Sequence, residues 1–490
     1  MAELSPHTGS DPVVAAGPVM VTVTSSKPRL WLRANRAGLV CSAVFAALYS
    51  AMALFRYSHF VWSSWDLGIF TQIVSSYAQL EPPTVPIRGV GFNALGDHFS
   101  PALAVLAVPY AVIPDAATLL VAQALLLAWS IFPIHRLASG RLGFGPGLAV
   151  TAAYGFSFGV VQAVLVDFHE VALAAPLMAY AVEGLAERRW RQVVLASLPL
   201  VLVKEDLGIT VAAIGLVCAI RGRGRLGALL AAFGLAASAV EIFYLIPALS
   251  STANYAYLAQ LGAADGGTRS LSAVLSPDTL LRGAGEKVGT LLKYTWATAG
   301  LCWFSTLALV ALPTVAWRLL GANQSYWGTD WHYDLILMPV VFAAAIDVLS
   351  RLSTSGNRAA RWYSQVAPLT LAGFAVIVFA TSPAADVAHP AAWVATPRRH
   401  ALEAALRDIP QGEVVQADLG LLSHLAGRNT AYWIGNTDGP PPRFIVTDET
   451  AGWTPPPSEQ AAAYFGELYP GHTWEVVSAA DGVVLLRLVN

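Results

Sequence analysis

This chain is dominated by long apolar runs that carry ionisable residues at their ends. Of its 490 residues, 56% are hydrophobic and only 12% are charged, whereas about 25% of the residues of a soluble domain are charged. A run of about 20 apolar residues is long enough for a helix to cross a bilayer. The runs are too numerous for a single anchor, so the sequence predicts a polytopic α-helical membrane protein. There is no basic stripe with interleaved aromatic residues, which argues against a nucleic-acid partner.

Basic residues between the runs predict the orientation. Lys27, Arg29, Arg33 and Arg36 precede the first run, and an arginine-rich loop covers 221–225. Because Lys and Arg are enriched in cytoplasmic loops, we expect residues 1–35 to be a disordered cytoplasmic tail. About eleven transmembrane helices are predicted, near 37–55, 116–135, 145–165, 171–186, 192–203, 207–220, 226–247, 287–303, 304–320, 335–350 and 363–381.

The predicted transmembrane domain covers residues 36–381 and has outer loops at 56–115 and 248–285. Within the first loop, the apolar segment 100–113 is too short to cross comfortably, so we interpret it as a re-entrant or interfacial helix. The hairpin 287–320 barely suffices for two crossings. Without that hairpin nine helices would remain and the orientation would be the same.

The last part of the chain, 382–490, has a different composition. Short β-type runs at 414–417, 443–447, 473–477 and 483–488 alternate with helical segments at 398–408 and 458–468. The sequence Ala480-Asp481-Gly482 is a hairpin signal. We expect a small extracytoplasmic α/β domain.

Apart from the basic loops, six clusters of ionisable residues lie at the ends of the runs, and all six are predicted to lie on the outer side. Such residues are costly near a membrane and are commonly functional. Convergence on one face predicts a single site built from several helices. The candidates are Asp66, Asp97, His98, Asp167, His169, Glu170, Lys204, Glu205, Asp206 and His332.

Each candidate has a structural alternative. Asp66 is a general base for an acceptor hydroxyl or the cap of the following helix. Asp97 and His98 bind a ligand or cap a helix whose first turn contains Pro101. Lys204 neutralises a phosphate or forms an internal pair with an acidic neighbour at a helix break.

The two remaining clusters also allow two interpretations. Asp167, His169 and Glu170 supply three ligands to a divalent metal such as Mg²⁺ or Mn²⁺, or form a solvated turn. His332 contacts a phosphate or an acceptor, whereas its aromatic neighbours are typical of an interfacial belt.

Four motifs occur in order along the chain. They are Asp-Leu-Gly-Ile-Phe (66–70), Asp-His-Phe-Ser-Pro (97–101), Asp-Phe-His-Glu (167–170) and Lys-Glu-Asp-x-Gly (204–208), and a Trp-His-Tyr sequence (331–333) precedes a Pro-containing run. This set resembles the bacterial membrane proteins grouped as domain of unknown function 2079. The similarity covers roughly 40–350, and residues 409–428 resemble the start of that family's C-terminal region.

That family is similar in layout to the GT-C glycosyltransferases, which take a sugar from a polyprenyl-phosphate carrier on the outer face of the membrane. The resemblance implies a GT-C-like fold. It places the essential acidic residue of the first outer loop at Asp66 and a second carboxylate at Asp167.

We therefore predict a glycosyltransferase of the plasma (inner) membrane. Its partners would be a polyprenyl-phosphate sugar donor, a cell-envelope glycan or glycolipid acceptor, and membrane lipid. Asp66 would be the base, and no cofactor is required unless the 167–170 cluster holds a metal. Lys204, His98, His169, His332, Asp97, Glu205 and Asp206 would bind the donor phosphate or the substrate.

Two other classes remain open. Interrupted helices beside charged residues also suit a transporter or flippase of an envelope precursor. A non-catalytic envelope scaffold is the third reading, and it leaves the ionisable clusters without a role.

Overall fold

The computed structural model describes residues 26–61, 64–257, 276–450 and 460–489. The first helices are α1 (Ser26–Ser58), α2 (Asp66–Ala78), α3 (Ala107–Val112), α4 (Ala116–Leu142), α5 (Phe144–Gly155), α6 (Phe158–Leu165), α7 (Ala174–Ala186), α8 (Trp190–Ser197), α9 (Leu207–Ile220) and α10 (Gly224–Val240). They are followed by α11 (Ile246–Leu249), α12 (Pro277–Leu281), α13 (Ala284–Ala297), α14 (Leu312–Leu320), α15 (Met338–Ser353), α16 (Arg358–Ala380), α17 (Pro397–Asp408), α18 (Leu419–Leu425) and α19 (Ala461–Leu468).

Six helical segments of the described chain are long and apolar enough to cross a membrane: Asn35–Ser58, Ala116–Leu142, Phe144–Leu165, Gly224–Leu249, His332–Ser353 and Arg358–Ala380. Four shorter apolar helices accompany them, at Pro101–Val112, Trp190–Leu202, Leu207–Ile220 and Thr306–Leu320. The chain is thus a predominantly helical membrane protein, and the count of eleven crossings stays a prediction.

The helix α1 begins earlier than the sequence pattern indicated. It starts at Ser26, inside the predicted tail of residues 1–35. Pro28 falls in its first turn, where proline is compatible with a helix because the N–H groups of that turn have no helical partner. Residues 1–25 lie outside the described chain, as does the 258–275 part of the predicted outer loop 248–285.

α9 and the helical segment His332–Ser353 each have polar residues at both ends. α9 begins directly after Asp206 and ends before Arg221, and the 22-residue segment His332–Ser353 begins with His332 and carries Asp347 near its other end. A helix of this length spans about 30 Å. Asp347 accepts hydrogen bonds from Arg141 (3.0 Å) and Arg221 (3.2 Å). The ends of three helices that are distant in sequence therefore meet at Asp347, and Arg351, one turn later in the same helix as Asp347, lies 3.7 Å from it.

The helices α9 and α10 pack in backbone contact through glycines. A Cβ on Gly234 would lie 2.2 Å from the carbonyl oxygen of Gly208, and one on Gly215 would lie 2.5 Å from that of Gly227. Small residues allow membrane helices to approach this closely. This contact fixes the start of α9, where Asp206 stands.

The C-terminal part forms a five-stranded sheet in the order β2-β1-β3-β5-β4. The strands are β1 (Val414–Ala417), β2 (Thr430–Trp433), β3 (Phe444–Asp448), β4 (Trp474–Ala480) and β5 (Val483–Leu488). β1 pairs in parallel with β2 and β3, and β5 pairs antiparallel with β3 and β4. The β4–β5 turn contains Asp481 and Gly482 in the left-handed conformation that such a hairpin requires.

The sheet is attached to the helix that carries Asp66. The side-chain amide of Gln72 in α2 donates to the carbonyl oxygen of Ala431 in β2 (2.9 Å) and accepts from the N–H of Ile87 (3.1 Å). α18 packs on the same helix, where a Cβ on Gly68 would lie 3.5 Å from Leu422. One side of the sheet therefore joins the hydrophobic core of the membrane helices, whereas Ile445 and Val484 on its other side pack with Phe465 of α19 in a separate cluster.

The α9–α10 contact gives a stability prediction. Gly234→Ala should lower the free energy of unfolding by about 1–3 kcal/mol, because the added methyl group collides with the backbone of α9. Gly373→Ala in α16 is the matched control, since no atom lies within 4 Å of its Cβ position. That variant should gain up to about 1 kcal/mol from helix propensity. Thermal unfolding in detergent measures both, and equal effects would contradict the proposed close contact.

Candidate active site

Asp66 is the first residue of α2, and two side chains hold its carboxylate. The Ser64 hydroxyl donates to Oδ2 of Asp66 (2.8 Å), and Nε2 of His169 lies 3.1 Å from the same oxygen. The Ser64 hydroxyl also accepts the N–H of Asp66 (3.1 Å). Ser64 thus makes a cap-type bond, and the Asp66 carboxylate is oriented towards His169.

Lys204 lies in the break between α8 and α9. Its ammonium group donates to Oε1 of Glu170 (2.6 Å), and both side chains are largely buried. Glu170 belongs to the short connection between α6 and α7, where it begins a 3-10 turn that covers Glu170–Ala172. The pair therefore joins the two interrupted regions of the helical bundle.

His98 and Glu205 form a second pair in the same region. Nδ1 of His98 lies 2.7 Å from Oε1 of Glu205, and the backbone N–H of Phe99 donates to Oε2 (3.1 Å). The Tyr255 hydroxyl also donates to Oε1 (2.6 Å), and the Tyr257 ring stacks on His98 at a centroid distance of 4.3 Å. Glu205 has no exposed side-chain surface, so these donors compensate its lost hydration.

His169 and His332 stack face to face, with ring centroids 3.5 Å apart. Both residues are more than nine-tenths buried. Within the described part of the chain, Nδ1 of each ring has no hydrogen-bond partner. The two rings therefore present one stacked surface at the wall of a cavity.

These groups line one cavity of about 610 Å³. The wall contains Asp66, Asp97, His98, His169, Glu170, Lys204, Glu205, Asp206 and His332, together with Trp65, Phe70, Arg88, Phe92, Tyr255, Tyr257, Trp317, Tyr326 and Tyr333. The structure therefore brings together nine of the ten residues that the sequence singled out. Asp97 lies 3.8 Å from Arg88 at this wall.

Asp167 is the exception, and it corrects the predicted metal site of Asp167, His169 and Glu170. Asp167 adopts a left-handed backbone conformation (φ 64°), and its Oδ2 accepts the N–H of Ser64 (3.2 Å). His169 contacts Asp66 and Glu170 contacts Lys204. The three side chains diverge because the backbone turns at Asp167, and no group of three His, Cys, Asp or Glu in the described chain is arranged to hold a metal.

Burial and neighbouring charges shift the pKa values of three carboxyl groups in the cavity wall. Burial alone would raise the pKa of Asp66, but His169, Ser64 and Lys204 hold that pKa below its usual value. Burial is likewise outweighed at Glu205, where His98 is the main cause that lowers the pKa to about 2. Asp206 differs, since burial raises its pKa to about 6 against the opposing charge of Lys204. The Asp66 carboxylate is therefore ionised at neutral pH and able to accept a proton.

The model of a family described as "Predicted membrane protein (DUF2079)" matches residues 56–485. The chain belongs to this family. The resemblance drawn from the ordered motifs is thus confirmed, and it extends further towards the C-terminus than those motifs indicated. No curated protein matches the sequence.

Two solved structures of ArnT from Cupriavidus metallidurans are similar to this DUF2079 protein, one bound to undecaprenyl phosphate and one in the apo state. The TM-score is 0.51 for both, the identities are 12% and 13%, and each match covers 94% of this chain and 98% of ArnT. Identity this low shows the fold alone. The predicted GT-C-like helical membrane fold is confirmed as an ArnT-like fold.

Several residues that line the cavity of this DUF2079 protein were not predicted from the sequence. The guanidinium group of Arg88 lies over the rings of Trp65 (5.6 Å) and Phe92 (5.0 Å). Tyr255 and Tyr257, in the segment that follows α11, also line the cavity. None of them belongs to a cluster of ionisable residues. The aromatic enrichment of these loops was visible in the sequence, but it is equally typical of an interfacial belt.

Asp334 has a supporting role beneath the cavity. Its carboxylate accepts from Nη1 of the buried Arg318 (2.6 Å) and from the Tyr294 hydroxyl. Arg318 also donates to the carbonyl oxygen of Tyr326 (2.9 Å). This network fixes the segment that begins with His332, because Asp334 is held away from the cavity while His332 faces it.

The network gives a second stability prediction. Arg318→Met should lower the free energy of unfolding by about 3–5 kcal/mol, because it removes the only cation paired with the buried Asp334 carboxylate in the described chain and leaves it the Tyr294 hydroxyl alone. Arg282→Met removes a partly exposed pair with Asp278 and should cost at most about 1 kcal/mol. Denaturation of the two variants in matched detergent measures the difference. A loss below 1 kcal/mol for Arg318→Met would show that the Arg318–Asp334 pair does not stabilise the fold.

Proposed function

We propose that this DUF2079 protein is a membrane glycosyltransferase that uses a polyprenyl-phosphate-linked sugar donor to glycosylate a cell-envelope acceptor on the outer face. The observation that carries the proposal is that Asp66, a carboxylate held ready by His169, lines the same cavity as Lys204. A base and a cation in one cavity are what transfer from a lipid phosphate requires. The ArnT structure with undecaprenyl phosphate supports a polyprenyl phosphate as the lipid partner.

In the proposed reaction Asp66 accepts the proton of the acceptor hydroxyl. The hydroxyl oxygen forms a bond to the anomeric carbon of the donor sugar from the side opposite the phosphate. The bond between that carbon and the phosphate oxygen breaks, and the lipid phosphate leaves with the electron pair. The configuration at the anomeric carbon inverts. No nucleotide is consumed, because the lipid carries the activated sugar.

Lys204 meets the charge of the leaving phosphate in this proposal. In the structure its ammonium group is bonded to Glu170 at 2.6 Å. A donor phosphate that approaches Lys204 therefore competes with the Glu170 carboxylate for the same hydrogens. His98, His169 and His332 line the cavity near this pair and supply further donors.

The arginine end of the helices supports an outward-facing cavity. Arg141, Arg221 and Arg351 gather around Asp347, at the end of α15 opposite His332. Arginine-rich ends are retained in the cytoplasm, which supports a cavity on the outer side. The C-terminal sheet is on the cavity side, since Trp433 contacts Trp65 edge to face at 5.2 Å. This arrangement supports a role of the sheet in holding the acceptor.

A transporter or flippase requires a pathway that opens to both ends of the helices. In α15 and the turn before it, every residue from Asp334 to Ile346 is buried. This segment is therefore packed on all sides between the cavity and Asp347. The packing favours the transferase over the transporter.

The base assignment is tested by transfer from lipid-linked sugars. Asp66→Asn should reduce transfer by purified protein about 10²- to 10⁴-fold, because the amide does not accept the hydroxyl proton. Asp330→Asn is the control, since Asp330 is an exposed carboxylate that does not line the cavity, and it should stay within about twofold of wild type. Full transfer by the Asp66→Asn protein would remove Asp66 as the base.

The phosphate assignment predicts two effects of opposite sign. Lys204→Met should weaken binding of polyprenyl phosphate roughly tenfold or more, because a charged hydrogen bond to the phosphate is lost. Glu170→Gln should strengthen that binding, because it removes the carboxylate charge that competes with the phosphate for the Lys204 ammonium group. Lys293→Met, outside the cavity, is the control. Binding to labelled lipid in detergent measures all four proteins, and unchanged binding in both cavity variants would overturn the assignment.

A further inference from the structure

A second concave region lies between α7 and α8, at the opposite end of α7 from the candidate active site. This α7–α8 groove is shallow and wide open, and it is lined by Leu177, Tyr180, Arg189, Trp190, Arg191 and Leu195, among others. Its position follows from Arg141, whose guanidinium group bonds to both Glu187 (2.8 Å) and the carbonyl oxygen of Ala186. The groove therefore lies at the arginine end of the bundle, next to the Asp347 cluster.

One end of the groove carries an excess of positive charge. The buried carboxylate of Glu183 already accepts hydrogen bonds from Nε and Nη2 of Arg136 and from the side-chain amide of Gln192 (2.7 Å). Arg189 approaches it only to 3.4 Å. Arg191 is exposed and forms no ion pair with the described residues. Arg136, Arg189 and Arg191 carry three positive charges and Glu183 carries one negative charge, so the formal charge of this set is +2.

The rest of the groove is apolar and exposed. Leu195 stands one helical turn after Arg191 and is 69% exposed, and Leu198 and Leu202 continue the same exposed row. Such a row on an apolar helix suits contact with acyl chains. Tyr180 and Trp190 also line the groove, and the guanidinium group of Arg136 lies 5.8 Å from the ring centroid of Tyr180. Tyr and Trp are typical of membrane interfaces because one part of each ring is apolar and another part is polar.

We infer that the α7–α8 groove binds one anionic phospholipid, with its phosphate headgroup on Arg189 and Arg191 and an acyl chain along Leu195. Charge complementarity selects the headgroup, because basic pockets between membrane helices attract anionic lipids. The apolar row that follows directly from the arginines selects a lipid over a soluble phosphate. This inference is independent of the proposed glycosyltransferase activity.

Quenching of Trp190 fluorescence tests the inference on the purified full chain in phosphatidylcholine nanodiscs. Phosphatidylglycerol with brominated acyl chains should quench wild-type fluorescence at a mole fraction at least tenfold lower than brominated phosphatidylcholine. Trp190→Phe should abolish this selective component, which assigns it to the groove. Equal quenching of wild type by both lipids, or an unchanged selective component in Trp190→Phe, would overturn the inference.

The arginines are tested by a double variant with a matched control. Arg189→Gln/Arg191→Gln should remove most of the preference for phosphatidylglycerol, since each arginine near an anionic lipid contributes about fivefold. Arg225→Gln changes an exposed arginine of a neighbouring loop that is outside the groove and should keep the preference. A double variant that keeps the wild-type preference would also overturn the inference. The wild-type and Trp190→Phe comparison remains decisive if the double variant fails to fold.

Discussion

The ion pair between Lys204 and Glu170 is the interaction on which the site depends. Each partner comes from a break in the helical bundle, and burial makes either charge costly without the other. The pair therefore holds both breaks together at the wall of the cavity. It also leaves a lysine ready to exchange one anion for another, which suits a site whose substrate carries a phosphate. Two neighbouring pairs, His98 with Glu205 and His169 with Asp66, also place a nitrogen-containing side chain beside a carboxylate.

The two ends of the helical bundle carry different side chains, and the same helices connect the two ends. Acidic residues, histidines and one lysine face the cavity at one end, and arginines surround Asp347 at the other. Glycines bring α9 and α10 into backbone contact, which fixes the start of α9 and therefore the position of Lys204 and Asp206. The C-terminal sheet is bonded to α2 through Gln72, so its position is coupled to that of Asp66.

The sequence predicted most of the site because charged residues are rare in this chain and mark the ends of helices. Asp66, His98, Lys204 and His332 were visible for that reason. The path of the 167–170 segment was not predictable, since a left-handed residue at Asp167 depends on tertiary contacts with Ser64. The strand β2 and helix α18 were also missed, because short apolar segments such as 419–425 become helical or extended only according to what they pack against.

A structure of the protein with bound polyprenyl phosphate would test the central claim most directly. The account predicts a phosphate within hydrogen-bond distance of Nζ of Lys204, with Glu170 displaced from its present 2.6 Å contact. The Asp66 carboxylate should face the same cavity, on the side of the bound phosphate where an acceptor would enter. A phosphate bound elsewhere, with the Lys204–Glu170 pair intact, would contradict the account.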